Sequence, residues 1–294
     1  QNVTTGTYTC TITDANGCST QQGISVHEPD ELIATLSSIN ISCNGLSDGS
    51  ASVSVTGGNG INTYIWSPIG SGNGSSASGL ALGSYSCTVI DQYGCSDVSN
   101  TITITQPSLL TSTVNFLDSV DCYGGSDGSA QVQGLGGTPG YNYLWSNGQT
   151  ASTLQNVSAG TYTCTITDAN GCQTIQSTPS VTIYEPDSLI AFIVYIDSVD
   201  CFGGNDGSAQ VQADGGTTVY SYSWSNGQNT STLQNVTAGT YTCTITDANG
   251  CQVSIDVTIN QPDLLTSTTI YEDSVSCYGL SDGSAQVQGL DGTP

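Results

Sequence analysis

GTYTCTITDANGC, at Gly160–Cys172, is the stretch from which the fold can be read. It recurs at Gly6–Cys18 and Gly239–Cys251, with a looser copy, GSYSCTVIDQYGC, at Gly83–Cys95. The first cysteines of the copies, Cys10, Cys87, Cys164 and Cys243, are spaced 77, 77 and 79 residues apart. A fixed period of that length marks an array of small modules. Within a copy, Tyr162, Cys164 and Ile166 share one parity, and Thr161, Thr163, Thr165 and Thr167 share the other. That alternation is a strand with one buried face, and β-branched threonines suit its solvent face. Asp168-Ala169-Asn170-Gly171 supplies turn chemistry, since Asp and Asn bond their own backbone and Gly accepts positive φ. A second strand is expected after Cys172. DANG also begins like a calcium loop, but it lacks the further carboxylates and the Glu of a full loop.

Composition narrows the function. The 294 residues hold 24 Asp plus Glu, no Lys, no Arg and no Met, for a formal charge of -24 with only 8% charged residues. Nucleic-acid binding depends on Lys and Arg neutralising phosphates, so nucleic acid is excluded as a partner. Anionic membranes, phosphate cofactors and Schiff-base chemistry are disfavoured for the same reason. No apolar run approaches the roughly 20 residues of a membrane-spanning helix. No signal peptide is visible, and the chain opens and closes mid-module, which reads as a window on a longer array. Twelve cysteines at repeated positions, with N-x-S/T sequences at Asn2, Asn40, Asn73, Asn156, Asn229 and Asn235, indicate an oxidising extracellular setting.

The modules fall at residues 29–106, 107–185 and 186–261, with the tail of one at 1–28 and the start of another at 262–294. Each joint carries the same signature: Glu28-Pro29, Gln106-Pro107, Glu185-Pro186 and Gln261-Pro262. Proline ends a strand and stiffens the chain, so a rod is expected rather than flexibly strung beads. In residues 107–185 the strands read as Leu109–Val120, Ser129–Leu135, Tyr141–Ser146, Ser152–Gln155 and the closing hairpin, with Asn147-Gly148 a hairpin turn. About seven short strands per module fit a small immunoglobulin-like β-sandwich. Tyr162, two residues before Cys164, matches a tyrosine corner, and Trp66, Trp145 and Trp224 read as core rather than as ligand platforms. Cys122 stands too early for an antibody-type cysteine.

Three cysteines per module leave an odd one. A four-residue turn at 168–171 sets Thr167 opposite Cys172 and leaves Cys164 roughly 10 Å away, too far for a disulfide. Cys122 therefore pairs with Cys172 or with Cys164. The first choice closes a loop of about 50 residues, stabilising by about 4 kcal/mol in the chain-entropy model. Cys10, Cys87, Cys164 and Cys243 are then left over, either as buried thiols or as links to a neighbouring module or another chain.

The pattern C-x-G-x-x-D-G-S-A (Cys122–Ala130), G-G (Gly136-Gly137), Y-x-Y-x-W-S-N-G (Tyr141–Gly148), the closing hairpin and Glu185-Pro186 resembles the SprB repeat. Such repeats are similar to those of very long cell-surface adhesins of Bacteroidota. The resemblance implies attachment, gliding motility, export by the type nine secretion system and association with the outer membrane. It favours pairing the first and last cysteine of each module: Cys43–Cys95, Cys122–Cys172 and Cys201–Cys251. It also marks Ser119, Ser198 and Ser274 in D-S-V, and Ser188 in D-S-L, as candidate O-glycosylation sites, whereas the first module has Ser37-Ser38-Ile39.

With one histidine, His27, no Lys and no G-x-S-x-G, catalysis is not expected. Asp48, Asp127, Asp206 and Asp282 sit in D-G-S turns and read as structural. The expected role is the stalk of a surface adhesin, whose partners are neighbouring repeats of the chain and, through the parent protein, surface glycans or a substratum. The alternatives are a self-assembling filament of disulfide-joined copies and a glycan-binding array. No cofactor is expected beyond calcium at the joints, where carboxylates lack cationic partners.

Overall fold

The computed structural model describes residues 2–72, 74–174 and 179–292. Every element is a β-strand. The chain divides into two compact units, Gln1–Thr113 with Gln133–Leu144 and Thr165–Thr178, and Val114–Val132 with Trp145–Cys164 and Pro179–Pro294.

The first unit opens with a hairpin of β1 (Gly6–Thr13) and β2 (Ser19–Val26). A seven-stranded sandwich follows: β3 (Ile33–Ile39), β4 (Gly49–Thr56), β5 (Thr63–Ser67), β6 (Ser76–Leu80), β7 (Gly83–Ile90), β8 (Ser96–Val98) and β9 (Ile102–Ile104). One sheet is ordered β3-β4-β6, and the other β5-β7-β8 with β9 also on β7. Alternate residues of both sheets meet in one core that includes Leu36, Val53, Trp66, Cys87, Val89 and Ile104. This is the immunoglobulin-like architecture that the alternation predicts.

Next come β10 (Thr111–Asp118), β11 (Gly128–Leu135), β12 (Asn142–Trp145), β13 (Thr153–Val157), β14 (Gly160–Thr167) and β15 (Ser180–Ile183), in sheets ordered β10-β11-β13 and β12-β14-β15. In β14 the expected parity holds, with Cys164 and Ile166 fully buried. The second unit then repeats the sandwich as β16 (Ile190–Asp197), β17 (Gly207–Asp214), β18 (Ser221–Trp224), β19 (Thr232–Val236), β20 (Gly239–Thr246) and β21 (Gln252–Ile259). Its sheets are β16-β17-β19 and β18-β20-β21 around Val211, Trp224, Leu233, Cys243, Ile245 and Ile259. It ends with a hairpin of β22 (Thr266–Asp273) and β23 (Ser284–Leu290).

Two side-chain devices recur. Tyr8, Tyr85, Tyr162 and Tyr241 each donate a hydroxyl hydrogen bond to the carbonyl four residues back, at 2.7, 3.0, 3.0 and 3.0 Å, forming tyrosine corners. Trp66, Trp145 and Trp224 are 2–3% exposed, with Nε1 donating to the carbonyls of Gly74, Ala151 and Thr230. They are core residues, as expected.

Strand direction decides where the loops lie. In the first sandwich, β3 ends at the pole where Ile41 N–H donates to Thr105 O and where Gly49, Leu80 and Ile104 converge. β7 starts there, at Gly83 opposite Ile104, and runs to the far pole, where Ile90 faces Thr63 and Ser96. Both β5 and β6 run toward the first pole, because between them the chain crosses from one sheet to the other instead of reversing. That crossing removes one reversal. The loop after β3 and the turn after β7 therefore sit at opposite poles. The second unit has the same antiparallel pairings: β16 with β17, β17 with β19, β18 with β20, and β20 with β21.

Gly207 lies where the sheets converge: a Cβ there would stand 2.6 Å from Ile259 Cγ2 and 2.9 Å from Val236 O. Gly207→Ala should cost about 1–3 kcal/mol by overpacking and lower the melting temperature in calorimetry. A melt indistinguishable from that of the unaltered chain would contradict this packing.

Candidate functional site

The candidate site is the joint between consecutive modules, built from a turn and a loop. The turn begins with a nearly buried aspartate. Asp168 Oδ1 accepts from the N–H groups of Asn170 and Cys172, both at 2.9 Å, and Oδ2 accepts from Thr138 N–H at 2.8 Å. Asp247 does the same with Asn249, Cys251 and Thr217. One carboxylate thus shapes the hairpin turn and ties it to a neighbouring loop. The hydrogen bond from Thr217 N–H, with the other backbone donors, holds the Asp247 carboxyl below its ordinary value against the opposing effect of burial. These aspartates organise backbone, as the turn reading requires. The turn is one residue longer than the sequence reading has it: Thr246 faces Gln252, and Thr167 bridges Gln173, so Cys251 and Cys172 close the turn rather than enter the ladder.

The loop carries the first cysteine of a module. Ser42 N–H donates to Asp48 Oδ1 at 3.1 Å, Ser42 Oγ bonds Asp48 Oδ2, and Leu46 N–H donates to Cys43 O at 3.2 Å. Asp48 is held below the ordinary carboxylate value chiefly by the Ser42 hydroxyl. Gly45, at φ +83°, gives its N–H to Gln106 Oε1 at 2.9 Å, and Asn44 Nδ2 donates to Pro107 O at 3.0 Å. Gly124 to Glu185 and Gly203 to Gln261 repeat that bond at 2.7 and 3.0 Å. The Gln or Glu before each joint proline is therefore the acceptor that pins the loop to the joint.

Turn and loop meet across the joint. Cys43 is bonded to Cys172, and Cys122 to Cys251, each with Cα atoms 5.7 Å apart and 129 residues of separation. Beside each disulfide, the turn asparagine reaches the carbonyl before the loop cysteine: Asn170 Nδ2 to Ser42 O at 2.9 Å and Asn249 Nδ2 to Asp121 O at 3.0 Å. The first cysteine of one module is thus bonded to the last cysteine of the next.

This corrects the pairings Cys43–Cys95, Cys122–Cys172 and Cys201–Cys251. Cys43 and Cys95 lie at opposite poles of one sandwich, separated by the eight residues of β7, about 25 Å at about 3.3 Å per residue. A disulfide spans Cα atoms no more than about 7 Å apart. β20 separates Cys201 from Cys251 in the same way. Cys122 and Cys172 each have a different partner, and neither of the options weighed for Cys122 is the one formed. Cys95 and Cys201 are exposed thiols, as are Cys18 and Cys277. The middle cysteines follow the buried reading. Cys87, Cys164 and Cys243 are 0% exposed, and burial raises the thiol pKa of Cys87 and Cys243. Cys10, on the opening hairpin, is exposed. The link between modules, the alternative reading of the middle cysteine, belongs to the outer two.

Ser119, Ser198 and Ser274 each follow the last residue of β10, β16 and β22, and with Ser188 all are exposed. Asn2, Asn40, Asn156, Asn229 and Asn235 are exposed as well, while the Asn73 sequence lies outside the described residues. Among the described residues, no group of three or more His, Cys, Asp or Glu is placed to hold a metal ion, and no helix is long and apolar enough to cross a membrane.

The fold and joints define a class: tandem immunoglobulin-like modules covalently cross-linked to their neighbours. The model of the SprB repeat matches residues 35–71, 115–150 and 195–229, and these three matches support membership of the SprB-repeat family. Each match runs from the first strand of a module through its tryptophan strand, and the closing hairpin lies outside it. No curated protein matches the sequence. Among solved structures, the three N-terminal domains of the bacteriophage RB49 highly immunogenic outer capsid protein are similar at 14% identity, covering 78% of this chain and 99% of that one, with a TM-score of 0.39. A tetra-tandem repeat from the extending region of a large adhesion protein is similar at 14% identity, over 86% and 81% of the two chains, with a TM-score of 0.26. The eight N-terminal Ig domains of Down Syndrome Cell Adhesion Molecule are similar at 12% identity, covering 97% of this chain and 55% of that one, with a TM-score of 0.30. At these scores the fold assignment rests on the sheet topology above.

Non-reducing peptide mapping with a protease other than trypsin should recover Cys43 joined to Cys172 and Cys122 joined to Cys251. A peptide joining Cys43 to Cys95 would contradict the joints. Alkylation of the native chain should reach Cys95 and Cys201 at once, and Cys87 and Cys243 only after unfolding. Because the Asp247 carboxyl is held low, its charge supports the fold at neutral pH, and that support fades as pH falls below 3.8. Asp247→Asn should therefore lower the melting temperature at pH 7, with the deficit shrinking in acid.

Proposed function

We propose that this chain is a stalk segment of a long secreted cell-surface adhesin. The observation that carries the reading is the cross-linked joint: each of two disulfides fastens one module to the next. In the chain-entropy model, closing a loop of 129 residues contributes about 5 kcal/mol, large beside the net stability of a small sandwich. Membership of the SprB-repeat family supports the surface location. A -24 charge with no cations suits a segment that must resist collapse onto its copies. Outer-membrane association, gliding motility, type nine secretion and decoration of Ser119, Ser198, Ser274 and Ser188 belong to the same proposal. The role is mechanical rather than catalytic. Glycans or a substratum would be met elsewhere in the parent protein, because the three tryptophans are buried.

Antibodies raised against this segment should label intact producing cells, and deleting the segment should weaken attachment to a surface. Labelling only after lysis would overturn the reading. Exposed Cys18, Cys95, Cys201 and Cys277 support a second reading, a filament joined by disulfides between copies. Light scattering with and without reductant separates the two: an oxidised monomer favours the stalk, and reducible oligomers favour the filament.

A further inference from the structure

We propose that the staggered disulfides make this chain a length-limited tether, in which tension bypasses much of the polypeptide. The inference builds on the stalk reading but rests on connectivity alone. Cys43–Cys172 and Cys122–Cys251 enclose overlapping loops, because Cys122 lies inside the first and Cys172 inside the second. Pulling on the two ends of such a chain tightens the shortest covalent route. That route runs from the N-terminus to Cys43, crosses to Cys172, turns back along the chain to Cys122, crosses to Cys251 and leaves through the C-terminus. It contains about 42 residues before Cys43, about 50 between Cys122 and Cys172, and about 43 after Cys251, with each residue extending at most about 3.5 Å. The oxidised chain thus reaches about 470 Å when every module is unfolded, against about 1,000 Å for the 294 residues when reduced.

Strands β4–β10 and β15–β20 lie off this route. Once the route is taut, they carry no end-to-end load, while their partners β3 and β21 stay on it. A disulfide confined to one module also shortens the chain, but it leaves every joint in series with the load. The stagger instead places a covalent bond in parallel with each of the joints at Pro107 and Pro186, so neither proline-stiffened segment has to bear the pull alone. Wherever the stagger continues through Cys201 to the closing cysteine of a following module, the route passes from Cys172 directly to Cys201 and is shorter still.

Optical tweezers on the 294-residue chain, with peptide-ligated handles at both ends, test this. The expected contour of the oxidised, fully unfolded chain is about 135 residues, rising to about 294 on reduction. Cys201→Ser should leave the oxidised value unchanged, while Cys43→Ser with Cys172→Ser should raise it to about 164 residues. Disulfides closed within modules give nearly the same oxidised contour, but Cys201→Ser then adds about 50 residues, and that result would overturn the proposal. An oxidised contour equal to the reduced one overturns it as well. Either failure leaves the surface location of the stalk, tested by labelling cells, untouched.

Discussion

A sandwich of this chain cannot close its outer cysteines on each other, and the rest of the design follows from that constraint. Its cause is the crossing between β5 and β6, and between β18 and β19, where the chain changes sheet without changing direction. Seven strands that reversed at every connection would bring the loop after the first strand and the turn of the last hairpin to one pole. With one reversal missing, the two end up a strand length apart. Each cysteine then faces outward from its own pole, and the cysteine nearest to it belongs to the adjoining module.

The poles are made by small polar devices rather than by extra core. A buried aspartate gathers three backbone N–H groups and fixes the turn that ends in the closing cysteine. At the equivalent Asp247, backbone donors led by Thr217 N–H favour the charged carboxylate in place of any cation, in a chain without Lys or Arg. Opposite it, the D-G-S aspartate braces the loop of the first cysteine, and the glutamine or glutamate before the joint proline holds that loop from the other side. The asparagine of the turn then crosses to the loop carbonyl. Every residue of the DANGC turns at 168–172 and 247–251 has a task at the joint or in the turn itself, the alanine by donating its N–H to Thr138 O or Thr217 O. The looser copy, with Gln92-Tyr93 at the Ala-Asn positions, leaves Tyr93 exposed instead.

The buried middle cysteines show how misleading arithmetic on cysteines can be. Three per module suggest one pair and a spare, with the spare either a buried thiol or the linker. Cys87 and Cys243 are packed beside the core tryptophan strand, in register with Trp66 and Trp224, where a small apolar side chain is needed. The linkers are the outer two. An odd count per module is compatible with full use of the outer cysteines once pairing is shifted by one module.

Local pattern was enough to determine the module. Alternating Tyr162, Cys164 and Ile166, the Asn-Gly and Asp-Ala-Asn-Gly turns, the tyrosine corner and the joint prolines each act over a few residues, so the strands, the buried tryptophans and the repeat period were legible without coordinates. The roles of Gln106, Glu185 and Gln261 were half-visible: their recurrence before proline was plain, but their hydrogen-bond partners lie about 60 residues away. Only the tertiary structure decided the disulfides. Sequence spacing measures distance along the chain, whereas a disulfide requires two Cα atoms within a few ångströms, and which loops share a pole depends on a single sheet crossing that leaves no mark in the pattern of side chains.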